Sequence, residues 1–376
     1  MIAAPVRWSV REALAGEREI LRWFVGARLV TFAFFAALYE IGPIGLLGPA
    51  RYRAPLALLG AWDGTWYLHV ARHGYLLVPG HQSDPAFFPL FPILVRGLHL
   101  CGLPYLPAAA LIANGAFAVD VVAFHRLGRR LLPDEIARRG AVFLAITPIG
   151  FVFSMAYPES VLLGLIVLSV LAALDGRWLG AATLAGLAVL TRPEGLFVSI
   201  PLAAIAWRGR RALDSGTRGR ALAAILAAPV ALLAFPLYLQ WSIGDALAWS
   251  KAEESWGRSF RLDGPIRAVE HVPKLLEAHP LLARDLVLFA VYAALLLAAF
   301  RRTATPRSWI LAGGLILVLP LFSGTFESEG RFGLLALPVY WGAASFALSP
   351  RAERLTRTSC LVLLAAAVLT IPYVWP

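Results

Sequence analysis

The stretch Ala221-Leu-Ala-Ala-Ile-Leu-Ala-Ala-Pro-Val-Ala-Leu-Leu-Ala-Phe-Pro-Leu-Tyr-Leu-Gln-Trp-Ser-Ile243 contains no acidic or basic residue. As a helix rising 1.5 Å per residue it reaches ~35 Å, enough to cross a hydrocarbon core of ~30 Å. Ten more apolar runs flank it, at about 23 to 41, 104 to 124, 140 to 155, 160 to 174, 178 to 191, 195 to 207, 285 to 300, 308 to 323, 332 to 348 and 358 to 375. Hydrophobic residues make up 59% of the chain and charged residues 15%, against roughly 25% charged in an ordinary soluble domain. So large an apolar excess requires lipid as solvent. Leu and Ala run continuously, without the alternation of a barrel strand, so the spanning form is helical. The reading is an all-α integral membrane protein with about eleven transmembrane helices.

A net charge of +11 can signal a nucleic-acid binder, but arginine-rich cytoplasmic loops give the same balance. The segment 86 to 100 is apolar but short, with Pro89 and Pro92 near its start and Arg96 and His99 within it, so it reads as an interfacial or re-entrant helix. Leaving it uncrossed, with the N-terminus inside, puts 21 of the 34 Lys and Arg in the cytoplasmic segments and 12 in much longer outer ones. That is a roughly threefold difference in density, in the direction of the positive-inside rule. A crossing at 86 to 100 would move Arg126, Arg129, Arg130, Arg138 and Arg139 outside and erase the bias. No removable signal is expected around Arg7, Arg11, Glu12, Glu17, Arg18, Glu19 and Arg22, since the short apolar core and cleavage site are missing. Cys101 and Cys360 have neither metal-site nor disulfide spacing. The chain reads as one membrane domain, 1–376, with outer loops at 42–103 and 244–284; the second has enough polar and aromatic residues for an amphipathic cap.

Polar residues of unusual type gather on the expected outer side. The first outer loop holds Trp62-Asp63-Gly64-Thr65-Trp66-Tyr67-Leu68-His69-Val70-Ala71-Arg72-His73-Gly74-Tyr75 and then Ala86-Phe87-Phe88-Pro89-Leu90-Phe91-Pro92. From Asp63 the spacing suits a short helix with Asp63, Tyr67 and Val70 on one face and Trp62, Trp66, His69 and His73 on an adjoining one. Asp63 could also serve merely as a helix cap. Three tight turns carry Tyr157-Pro158-Glu159-Ser160, Arg192-Pro193-Glu194-Gly195 and Glu329-Gly330-Arg331-Phe332. Charge held so close to hydrocarbon is costly and usually functional. His69 and His73 with His81 or Asp84 could ligate a metal, but interfacial histidines are commonly structural, and no metal is assigned. There is no phosphate-binding loop and no sugar-nucleotide signature, so neither ATP nor a nucleotide donor is implied.

In order and spacing these motifs resemble the PIG-V family, the second mannosyltransferase of GPI-anchor synthesis, and its bacterial relatives. Pro158 and Phe332 stand where family members often have Ser or Thr and Tyr. The resemblance implies a GT-C type glycosyltransferase that moves mannose from a polyprenyl-phosphate donor, with Asp63 as its essential acid and no cofactor beyond the lipid-linked sugar. Arg192 and Arg331 are then candidates for the donor phosphate, since a guanidinium matches phosphate oxygens. Glu159, Tyr157, Glu194, Trp62, Tyr67 and His73 complete the expected substrate site. The acceptor, whether lipid, glycan or protein, is left open; the Ala- and Arg-rich, Lys-poor composition suits a high-GC bacterium, and hence its inner membrane, where GPI anchors are not expected. A transporter or lipid flippase is the alternative, but would call for repeated halves, and no internal repeat is visible. Finally, Arg28 and Asp120 lie inside the first two spans at matching depth and are expected to form a structural ion pair.

Overall fold

In a computed structural model the described residues are 10–41, 57–278, 283–346 and 349–372. The expectations for residues 1–9, for the 42–56 part of the first outer loop, for the 279–282 part of the second, for 347–348 at the end of an apolar run and for residues 373–376 fall outside them. Sixteen α-helices follow in order: α1 Val10–Ile41, α2 Asp63–His73, α3 Leu90–Leu100, α4 Tyr105–Leu131, α5 Asp134–Ala145, α6 Glu159–Leu174, α7 Trp178–Thr191, α8 Ser199–Gly209, α9 Ser215–Ile243, α10 Ala248–Ser255, α11 Gly264–Ala278, α12 Ala283–Arg302, α13 Arg307–Val318, α14 Glu329–Gly333, α15 Pro338–Ala344 and α16 Pro350–Thr370. No strand occurs among the described residues. The protein is an all-α integral membrane protein. Every one of the eleven apolar runs overlaps a helix, and the parts Glu17–Leu38, Tyr105–Leu131, Ser215–Ile243 and Ala283–Arg302 are long and apolar enough to cross a membrane.

Helix α9 shows why lipid is required. Ala224, Ala228, Phe235 and Leu239 face the protein, while Leu222, Leu226, Val230, Leu233, Leu237 and Trp241 form an exposed stripe on its other side. A helix in water would carry polar residues there. Helix α3 is only 11 residues, ~16 Å, and leaves Ile93, Leu94 and Leu100 exposed, the character of an interfacial helix too short to cross.

The two ends of α6 mark two different chemistries, ~24 Å apart by helix rise. At its C-terminal end Asp175 accepts from Arg130 at 2.6 Å. Nearby, Glu17 accepts from Arg126 at 2.8 Å, and Glu19 draws together Arg138 of α5 and Arg357 of α16. These contacts fasten α1, α4, α5 and α16 at the arginine-rich end. The opposite end begins with Glu159 and carries the site described below.

The expected Arg28–Asp120 pair does not form. Arg28 donates through Nη1 to the Ser154 hydroxyl at 2.7 Å and lies over the Phe117 ring at 5.0 Å. Asp120 instead turns toward α6, where a side chain at Gly164 would come within 2.4 Å of its Oδ1, and neither of its oxygens has a hydrogen-bond partner among the described residues. The two side chains are committed to different neighbours, Arg28 to Ser154 and Phe117 and Asp120 to the face of α6 at Gly164.

Candidate active site

The site starts from a strained backbone. Trp62, at φ 55° and ψ −125°, is one of two non-glycine residues with positive φ among the described ones. Such a conformation persists only where the surroundings hold it. Here the Trp62 indole N–H donates to the carbonyl of Ile371 at 2.8 Å, tying the start of α2 to the end of α16. Asp63 is therefore the first residue of α2, and its side chain makes no capping bond; it pairs with the Arg331 guanidinium. The capping alternative does not apply.

From that pair an alternating series of charges runs through four chain segments. Arg331 Nε lies 3.4 Å from Glu159 Oε1. The same oxygen accepts from Arg192 Nη1 at 2.8 Å. Arg192 then turns its Nη2 and Nε to Glu194 Oε1 and Oε2, at 2.9 and 3.1 Å, as a two-pronged clasp. The order is Asp63, Arg331, Glu159, Arg192, Glu194: three acids and two bases. Side-chain exposure separates their parts, being 23% for Asp63, 10% for Glu194 and 0% for Glu159. Asp63 has the most exposed side chain of the three carboxylates.

Local sequence explains how these side chains arrive. Gly195 is forced by close approach, since a Cβ there would lie 2.4 Å from the Ala188 carbonyl carbon at the end of α7. This contact lets the chain turn from α7 with Arg192 and Glu194 directed into the cluster. The Phe87-Phe88-Pro89-Leu90-Phe91 block is a scaffold: Phe87 and Phe91 meet the buried Tyr67 ring edge-on at 5.0 and 5.6 Å and fix α2 against α3. Tyr67 and Tyr157 both lie in the field of the charged cluster, with the Arg331 guanidinium 5.3 Å from the Tyr157 ring centre. The structure leaves His73 out. It is the exposed last residue of α2, ten positions or ~15 Å along the axis from Asp63, with its ring 4.9 Å from that of His69. His69 in turn meets Asp84 at 2.9 Å, and Asp84 also accepts the Leu76 N–H at 2.7 Å, which shapes the loop. Among the described residues no group of three His, Cys, Asp or Glu is placed to hold a metal ion.

Three residues at this end, Asp285, Glu253 and Arg258, escaped the sequence reading, and a fourth, Glu329, was legible only as part of its turn. Asp285, buried in the first turn of α12, accepts the backbone N–H groups of Ser328 and Gly330 at 3.0 and 3.3 Å. It thereby supports Ser328 in a left-handed conformation (φ 66°) and sets the turn that delivers Arg331. Glu329 is fully buried beside Asp285; burial and that neighbouring charge push its carboxyl up to about 9. Glu253 of α10 feels Arg258, Glu194, Arg192 and Asp63, and burial raises its carboxyl to about 7. Arg258 stands over the Phe332 ring at 5.5 Å, as Arg192 and Arg331 do at 5.2 and 5.6 Å. An acid at the first position of an apolar run was the legible signal for Asp285; Glu253 and Arg258 lie in an ordinary polar loop sequence.

No family model matches the chain. It is 32% identical over 118 residues to GPI mannosyltransferase 2 of Drosophila pseudoobscura pseudoobscura, a match covering 28% of this chain and 25% of that protein. It is 29% identical over 206 residues to human GPI alpha-1,6-mannosyltransferase 2, covering 48% of this chain and 40% of the relative. The matches thus span about a quarter to two fifths of these curated relatives. Among solved structures, that of ArnT from Cupriavidus metallidurans bound to undecaprenyl phosphate matches 93% of this chain and 64% of that one, with a TM-score of 0.52 and 16% identity. The chain is similar in sequence to proteins of the family its motifs resemble, and it has the GT-C membrane fold of ArnT.

Proposed function

We propose that this protein is a GT-C glycosyltransferase that moves mannose from a polyprenyl-phosphate donor to an acceptor at the non-cytoplasmic face of a bacterial inner membrane, with residues 1–376 acting as one catalytic unit. The observation that carries this reading is the pairing of the partly exposed Asp63 with Arg331, at the head of a buried series of charges where α2, α6, α7 and α14 meet. In the reaction an acceptor hydroxyl attacks the anomeric carbon of the sugar as the bond to the phosphate oxygen breaks. Asp63 takes the hydroxyl proton, and the polyprenyl phosphate leaves with the bonding pair. A single displacement inverts the anomeric centre and needs no protein nucleophile. Positive charge from Arg331 and Arg192 beside the leaving oxygen lowers the barrier, because fixed guanidinium groups meet developing negative charge without reorganising. Glu159 and Glu194 hold the two guanidinium groups in place. The names of the sequence relatives support mannose, and the fold supports a lipid-linked donor lying beside the helices with its sugar at the interface.

The arginine-rich end of the bundle supports the assignment of sides, since the positive-inside rule puts it in the cytoplasm and the site opposite. The test is to incubate membranes containing the protein with radiolabelled polyprenyl-phosphate-mannose and identify the labelled product. A mannosylated product made by the wild type and lost in Asp63→Asn is the expected result. Label remaining wholly on the donor in every membrane fraction tested, including those from the native host, would refute it.

A further inference from the structure

The two arginines of the charged series are already neutralised. Arg192 contacts Glu159 and Glu194, and Arg331 contacts Asp63 and Glu159. Three carboxylates against two guanidinium groups leave this series one negative charge in excess, so its guanidinium groups can meet charge developing on the leaving oxygen, but the series as a whole supplies no net attraction for the donor's phosphate. Arg258 is different. It has no carboxylate within 4 Å among the described residues, and its Nη2 makes only long contacts, 3.3 Å to the Ser328 hydroxyl and 3.4 Å to the Glu327 carbonyl. Yet it stands on the same Phe332 ring as the other two, a ring whose negative face draws the three cations together.

We propose that Arg258 is a donor-binding residue of this site, the guanidinium that takes an anionic oxygen of the donor phosphate. The inference rests on the polyprenyl-phosphate reading above. The chain holds Arg258 in place from both sides. Trp256 meets Trp66 edge-on at 5.3 Å and donates to the Ser83 carbonyl at 3.2 Å, so the end of α10 is fixed on the loop that carries Asp63. Gly257, at φ +72°, then turns the chain, and Arg258 reaches across to Ser328 on the segment that carries Arg331. The α10 turn therefore bridges the two walls of the site and adds the positive charge that they lack. A phosphodiester oxygen offers Arg258 a charge-assisted bond in exchange for two long neutral ones. Glu253, held partly protonated near neutral pH by its burial, opposes the incoming anion less than an ordinary carboxylate would.

The experiment uses the full-length protein in lipid nanodiscs, with undecaprenyl phosphate and undecaprenol as probes and mannose transfer from undecaprenyl-phosphate-mannose measured on the same samples. The wild type is expected to bind the phosphate in a salt-sensitive manner. Arg258→Gln should weaken that binding about tenfold or more, raise the KM for the donor in proportion, and leave undecaprenol binding unchanged. Arg258→Lys, which keeps the charge, should restore most of the loss and remains informative if the Gln variant unfolds. Equal binding of the phosphate by wild type and both variants overturns the proposal. So does an equal loss of both probes, which would mark Arg258 as structural, and so does a wild type that binds no polyprenyl phosphate. A wild type that binds the phosphate but transfers no mannose defeats the functional reading alone, and the comparison of variants still decides the role of Arg258.

Discussion

Replacing Glu159 by Gln keeps the shape of the side chain and removes the charge that two guanidinium groups share. Its Oε1 stands 2.8 Å from Arg192 Nη1 and 3.4 Å from Arg331 Nε, in a side chain with no exposed surface. At an effective dielectric of ~20 each contact is about 5 kcal/mol of gross attraction. Most of that is offset by the cost of taking the ions out of water, and losing one partner of a buried pair costs about 3 to 5 kcal/mol net. Gln should lie at the low end of that range, because its amide oxygen can still accept one bond and both arginines keep a second carboxylate, Glu194 or Asp63. The decisive measurement is a double-mutant cycle of Glu159→Gln with Arg192→Gln, read from equilibrium unfolding in detergent micelles. Removing Glu159 when Arg192 is already gone should cost at least about 1 kcal/mol less than removing it from the wild type. Additivity within about 0.5 kcal/mol would show that the two side chains do not meet as described, and the series from Asp63 to Glu194 would lose its centre.

Asp63→Asn should abolish mannose transfer while the protein still expresses and folds, because the amide keeps the size but cannot take a proton, and it should lower the Tm somewhat because Arg331 loses a charged partner; wild-type turnover would remove Asp63 from the chemistry. Gly195→Ala should lower the apparent Tm, by an overpacking cost of about 1 to 3 kcal/mol, because the new methyl group meets backbone atoms of Ala188 and Val189 that cannot move aside; an unchanged Tm would contradict that packing. Glu253 has its carboxyl raised from 4.5 to about 7, so the folded protein prefers it protonated and loses stability as pH rises through that window, then levels off above it. Glu253→Gln should accordingly be more stable than wild type at pH 8, by about 1 to 2 kcal/mol after allowing for partial solvent access, and no more stable at pH 4. The same Tm difference at both pH values would refute the cause assigned to the shift.

Glu159 shows where sequence reading stops. An acid in a four-residue turn between two apolar runs is visibly costly, so its importance could be read from local sequence alone. Its partners could not. Arg192 is 33 positions away and Arg331 is 172, and their common contact with one oxygen depends on how α6, α7 and α14 pack at one end. Arg28 and Asp120 make the same point in reverse. Depth along a helix follows from residue count, but direction around its axis follows from packing, and packing sent Arg28 to Ser154 and Asp120 toward Gly164.

The sequence by itself determined the solvent of the protein, the positions of its apolar helices and the segments that carry the candidate site, because each of these depends on residue type and spacing within one window of chain. Apolar length decides whether a run can cross, arginine density orients it, and a charge in a tight turn stands out against its neighbours. The tertiary structure alone decided which charges meet, that His73 is excluded, that Asp63 is the most exposed acid of the series, and that Glu253 and Arg258 of a polar loop return to the site. The physical reason is that local sequence fixes the cost of burying a charge, whereas the partner that offsets the cost is supplied by segments far away in the chain and brought near only by the folding of the whole bundle.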